Sequence, residues 1–74
     1  MINISDITGK SYEAENCVFF RNTLQSATYI SWGATLIDLF TDSKGKLVFV
    51  FLKSDHDKYK LRWGSTYHQH EKNN

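Results

Sequence analysis

Apolar residues fall into blocks along this chain, and their spacing changes from one block to the next. Cys17-Val18-Phe19-Phe20 is a continuous run of β-forming residues and predicts a short buried strand. Beyond it, Leu24, Ala27, Ile30 and Ser31 recur at helical spacing, with Tyr29 and Trp32 flanking. Asn22 or Thr23 suits the N-cap, Gln25 lies three residues after Asn22, and Gly33 stands where a left-handed C-cap is wanted. These features predict a helix over 23–32. The segment 34–41 reads as a strand and Leu47-Val48-Phe49-Val50-Phe51-Leu52 as another. Asp42-Ser43-Lys44-Gly45 supplies the turn between them, so 34–52 is expected to be a hairpin. The second arm is apolar on both faces, as a central strand covered on both sides is. Asp38 marks the first arm as wet on one face, or as an edge.

The two ends are less regular. Ile2 and Ile4 precede a turn at Thr8-Gly9-Lys10, which suggests a short strand with an extended return through Tyr12. Residues 55–68 carry two patterns at once. Ser54-Asp55-His56-Asp57 is a helix start, with Tyr59, Trp63 and Tyr67 at successive i+4 positions. Lys58-Tyr59-Lys60-Leu61-Arg62-Trp63 alternates polar and apolar like a strand. Both readings stand at this point. The polar 71–74 is expected to fray.

Composition narrows the class. In 74 residues, 41% are hydrophobic and 23% charged, with no proline and no linker-like stretch, so one small α+β domain over 1–70 is expected. A chain this short has a thin stability margin unless something staples it. Cys17 is the single cysteine, which rules out an internal disulfide. The compensating feature is aromatic: five Phe, four Tyr and two Trp. The formal net charge is +1, too small for strong general attraction to nucleic acid or acidic lipid. Residues 1–52 carry four cations against five acids and residues 53–74 five against three, so the basic tilt is C-terminal. The first residues lack a signal-peptide pattern and no apolar run is long enough to span a bilayer, so a cytoplasmic protein with no membrane partner is expected.

Val18 to Phe51 resembles a family of short, uncharacterised α+β domains from archaea, bacteria and their viruses. The likeness rests on an apolar strand, a helix ending at Gly33, and a hairpin whose second arm reads Val48-Phe49-Val50-Phe51. The chain departs from the family in the polar stretch Gln25-Ser26-Ala27-Thr28 and in having no acid directly after Phe51. The resemblance implies a viral or mobile-element setting.

Catalytic and metal chemistry find little to build on. His68 and His70, with His56 and Cys17, are the only metal-ligand types at all grouped, and their spacing is not that of a structural zinc site. Cys17 sits in an apolar strand, where it behaves as a small hydrophobe. Glu13/Glu15 and Asp55/Asp57 read as solvated or capping acids, and Ser43-Lys44-Gly45-Lys46 is a hairpin turn rather than a phosphate loop. No catalytic residue, metal or cofactor is expected. The expectation is a non-enzymatic binding protein that inhibits or recruits a host protein, such as a defence enzyme, or that self-associates. Trp32, Tyr29, Tyr59, Arg62, Trp63 and Tyr67 are its contact candidates, being the residue types that dominate interface energetics. The alternative is weak nucleic-acid binding by Lys58, Lys60 and Arg62, which would form a basic stripe on a strand.

Overall fold

The computed structural model describes the backbone of residues 1–72 and the side chains of residues 1–65. It is an α+β domain, with the order β1 (Ile2–Ile4), β2 (Ser11–Glu13), a 3-10 turn (Ala14–Asn16), β3 (Cys17–Phe20), α1 (Thr23–Ser31), β4 (Asp38–Thr41), β5 (Leu47–Leu52) and α2 (Lys53–Lys72). β1 and β2 form an antiparallel hairpin, and β3-β5-β4 form an antiparallel sheet with β5 in the centre. No described helix is long and apolar enough to cross a membrane.

The central place of β5 follows from its sequence. Val48, Phe49, Val50 and Phe51 are all buried, and burying each such side chain contributes about 1.5–3 kcal/mol. Successive residues point to opposite faces of a strand. With the observed register, Val18, Phe20, Leu39, Phe49 and Phe51 share one face, and they pack with Tyr29 of α1 and Tyr59 of α2. Cys17, Phe19, Asp38, Val48 and Val50 share the other, against which the N-terminal hairpin docks through Asp38.

Local chemistry fixes the ends of the elements. Asn22 Oδ1 accepts the Gln25 N–H at 3.0 Å, capping α1. Gly33 takes φ +113°, outside the range an L side chain readily adopts, and carries the chain out of the helix. In the β4–β5 turn, Asp42 Oδ1 accepts the amides of Lys44 and Lys46, and Gly45 has φ +79°.

Three expectations are corrected, and one is decided between its alternatives. The inward face of α1 is not Leu24 and Ile30, which are 58% and 41% exposed, but Ser26 and Tyr29, both fully buried. The tyrosine ring fills the core, and the small serine lets the helix lie close to the sheet. The strand expected from 34 is regular only from Asp38, because Ala34–Ile37 is crossing from the end of α1 to the sheet edge. Ala34 N–H donates to Tyr29 O there, and Thr35 N–H donates to Asp55 Oδ2. Of the two readings of Asp38, the edge is the one observed: β4 is an edge strand, and Asp38 itself is 2% exposed. β3, expected to be buried, is also an edge, with Phe19 37% exposed.

The ambiguous C-terminal segment is helical. α2 starts directly at Lys53 and runs through Gly64. Helical spacing brings Tyr59 and Trp63 together onto the core and leaves Leu61 77% exposed. Of the tail expected at 71–74, residues 71 and 72 continue α2, and 73–74 lie outside the described residues.

Candidate functional site

The C-terminus of α1 and the middle of α2 meet in a cluster of rings. Trp32 caps α1, and its ring stacks near Tyr29 (centroids 6.3 Å apart, planes at 27°) and lies 6.0 Å from Tyr59. The Tyr59 hydroxyl donates to the Trp32 carbonyl at 2.9 Å, which ties the two helices together. Outside this cluster, the Arg62 guanidinium carbon sits 4.1 Å from the Trp32 ring centroid, a cation–π stack. Lys58 Nζ lies 5.4 Å from the Tyr59 ring centroid, one helical turn before Arg62.

The contact candidates therefore divide. Tyr29 and Tyr59 are core residues, 0% and 8% exposed, and cannot serve as a docking surface in the folded domain. Trp32 and Trp63 are half-buried, packed on the core with one side outward, and Arg62 is exposed. The side chain of Tyr67 lies outside the described residues, as do those of His68 and His70. The basic stripe is also corrected. On a helix, Lys58 and Arg62 share a face, while Lys60, two positions along, is turned about 200° from Lys58. Lys60 instead pairs with Asp57 at 3.1 Å.

Behind Trp32, a second polar group is buried among the rings. The Tyr29 hydroxyl is 2.9 Å from His56 Nδ1, and Gln25 Nε2 donates to that hydroxyl at 3.3 Å. Burial holds the His56 pKa below its ordinary value, helped by the positive charge of Lys60, with Asp57 opposing. The Tyr29 hydroxyl and His56 Nδ1 share this hydrogen bond, its direction following the imidazole tautomer.

On the opposite side of the sheet, the hairpin covers a cavity of about 420 Å³, lined by Tyr12, Cys17, Leu36, Ile37 and Leu52, with Lys10 and Glu13 among the polar residues beside them. Nothing in the spacing of these residues announced it, because it arises where three separate segments meet. Burial pushes the Cys17 thiol pKa up, against the pull of Lys53, so the sulfur remains a poor nucleophile. Cys17 and His56 belong to opposite faces of the sheet, since His56 packs on Phe20 with ring centroids 5.2 Å apart. Among the described residues, no three His, Cys, Asp or Glu side chains gather as metal ligands.

Beside this cavity is the group the sequence least advertised. Asp38 accepts hydrogen bonds from the Tyr12 hydroxyl (2.7 Å), the Asp6 amide (2.8 Å), its neighbour Leu39's amide (2.8 Å) and, more weakly, the Ser5 hydroxyl (3.4 Å). Burial alone would raise its pKa, but these donors outweigh it and hold the carboxyl below the usual range. Its task is structural: it fastens the hairpin to the sheet. The one sequence signal was a lone acid within an apolar strand. No protein-family model, curated protein or solved structure matches the chain.

Proposed function

We propose that this chain is a non-enzymatic protein-binding domain whose contact surface is centred on Trp32, Arg62 and Trp63. The observation that carries the reading is the Arg62 guanidinium stacked 4.1 Å over the Trp32 ring, on the outer side of a rigid two-helix junction. A cation held against an indole loses little side-chain freedom on binding, and Trp and Arg are the residue types whose truncation weakens interfaces most. Together with the family resemblance, the proposal extends to an accessory protein of viral or mobile-element origin that inhibits or recruits a host protein. Nucleic-acid binding is the lesser reading, since helical geometry divides Lys60 from Lys58 and Arg62.

The test is capture from a lysate of the natural host on immobilised wild-type chain, compared with R62Q and K60Q. One protein retained by wild type and K60Q and lost from R62Q, with unchanged circular dichroism, is the expected result. Equal retention by all three would overturn the proposal. Light scattering on the purified chain distinguishes a second copy of the chain from a foreign partner.

A further inference from the structure

We infer that the cavity beneath the N-terminal hairpin binds a small amphipathic anion: a flat apolar body, such as an aryl group, carrying one carboxylate. The site lies across the sheet from Trp32 and Arg62, and it does not rest on the protein-binding reading.

The walls give the ligand its body. Cys17 and Leu52 are register partners on one face of the sheet, Leu36 and Ile37 come from the segment crossing to β4, and Tyr12 comes from the hairpin. These side chains enclose about 420 Å³, within the range of roughly 300–1,000 Å³ that small-molecule clefts occupy. The space is preformed. The Tyr12 hydroxyl and the Asp6 amide donate to Asp38 at 2.7 and 2.8 Å, and the Ile37 amide donates to Val50 O at 2.8 Å. Collapse of the hairpin onto the walls would break those bonds. Water in the cavity faces mainly apolar side chains, so an apolar group replaces it favourably.

The rim gives the ligand its sign. Lys10 and Glu13 are the ionic residues among those lining the cavity. Glu13 lies 3.6 Å from the N-terminal ammonium, which offsets its charge. Lys10 is exposed, and the ion pairs among the described residues do not include it. Lys53, directly after Leu52, adds positive charge that is felt at the Cys17 thiol. The acid at that end of α2, Asp55, is engaged by the Thr35 amide at 3.1 Å. A carboxylate at the mouth is therefore met by Lys10, whereas an ammonium would meet a like charge.

The probe is 2-naphthoate, followed by its own fluorescence and by isothermal titration. The neutral 2-naphthylmethanol and the cationic 2-naphthylmethylamine are the comparisons. The carboxylate should bind tightest and the amine weakest, with the carboxylate ahead of the alcohol by about threefold at low salt. Cys17 is the single cysteine and reports the place. Saturating 2-naphthoate should slow its reaction with the neutral reagent 4,4′-dithiodipyridine. K10Q should lower the affinity for 2-naphthoate to that for the alcohol and leave the alcohol unaffected. L52W, at a wall position 36% exposed, should fill the cavity and weaken both. R62Q should bind as wild type does. Circular dichroism and thermal midpoints check the fold of each variant, and K10Q with the Cys17 readout decides the matter if L52W does not fold.

No binding of 2-naphthoate at millimolar concentration, equal or tighter binding of the amine, indifference to K10Q, or unchanged Cys17 reactivity at saturation would each overturn the inference. Binding of 2-naphthoate to a folded L52W as tight as to wild type would also overturn it. None of these outcomes touches the Trp32 face, which stands or falls on capture by the R62Q variant.

Discussion

The Tyr12 hydroxyl donates a 2.7 Å hydrogen bond to Asp38 Oδ2, joining the N-terminal hairpin to the edge of the main sheet. Hydrogen bonds to a charged group contribute about 1.5–3 kcal/mol, and a buried carboxylate robbed of a donor loses more than the bond itself. Tyr12→Phe should therefore destabilise the domain by about 2 kcal/mol in urea unfolding. Asp38→Ala should do more, since four donors then lose their acceptor. A Tyr12→Phe variant with an unchanged urea midpoint would show that the hairpin is held by something else.

Acid should weaken the fold in two stages. His56 has a folded pKa below its ordinary 6.5, so the unfolded chain binds its proton first as pH falls. Stability from this group is complete above about 6.5 and declines below it, until the folded state also protonates. Asp38 has a folded pKa below its ordinary 3.8, so its contribution is intact above that value and is lost at still lower pH. Unfolding midpoints measured from pH 8 to pH 5 should fall for the wild type and stay flatter for His56→Gln. Identical slopes would remove His56 from the account.

Gly33 combines φ +113° with a crowded site, because an added Cβ would lie 3.2 Å from the Tyr59 hydroxyl oxygen. Gly33→Ala should cost about 1–2 kcal/mol, from backbone strain and from disturbing the Tyr59 bond to the Trp32 carbonyl. If thermal unfolding shows no loss, the conformation after α1 is not the one described.

Ser26 is fully buried, and its Oγ has no hydrogen-bond partner among the described residues. Removing an unsatisfied buried hydroxyl relieves a desolvation penalty, offset by the small volume lost. Ser26→Ala is expected to leave stability unchanged or raise it by about 1 kcal/mol. A clear loss in denaturant midpoint would reveal a partner for that hydroxyl.

Tyr59 and Leu61 separate the two patterns in the C-terminal segment. As a helix, α2 buries Tyr59 and leaves Leu61 77% exposed. Leu61→Lys should therefore change stability by less than about 0.5 kcal/mol, while Tyr59→Ala should cost about 3–5 kcal/mol. Comparable losses at both positions in parallel melts would mean that the segment is not helical there.

Much of the scaffold is legible in the chain without coordinates. The apolar run of β5 needs cover on both faces, Asn22 and Gly33 bound α1 by capping chemistry, and Asp42 to Gly45 closes a hairpin through its own side chain. These are local decisions, made by residues a few positions apart, so the sequence alone determines them.

Other features were settled only when distant segments met. Tyr29 took the core place that the spacing of Leu24 and Ile30 had suggested for them, because a ring fills the space between α1, β5 and α2. The alternation from Lys58 to Trp63 lost to the helix, since only helical spacing places Tyr59 and Trp63 together on the core formed with Tyr29 and Phe51. That choice also remade the candidate surface, burying Tyr59, turning Lys60 aside and setting Arg62 on Trp32. The aromatic surplus was visible from the start, but which rings remained available for a partner depended on packing between residues nearly thirty positions apart.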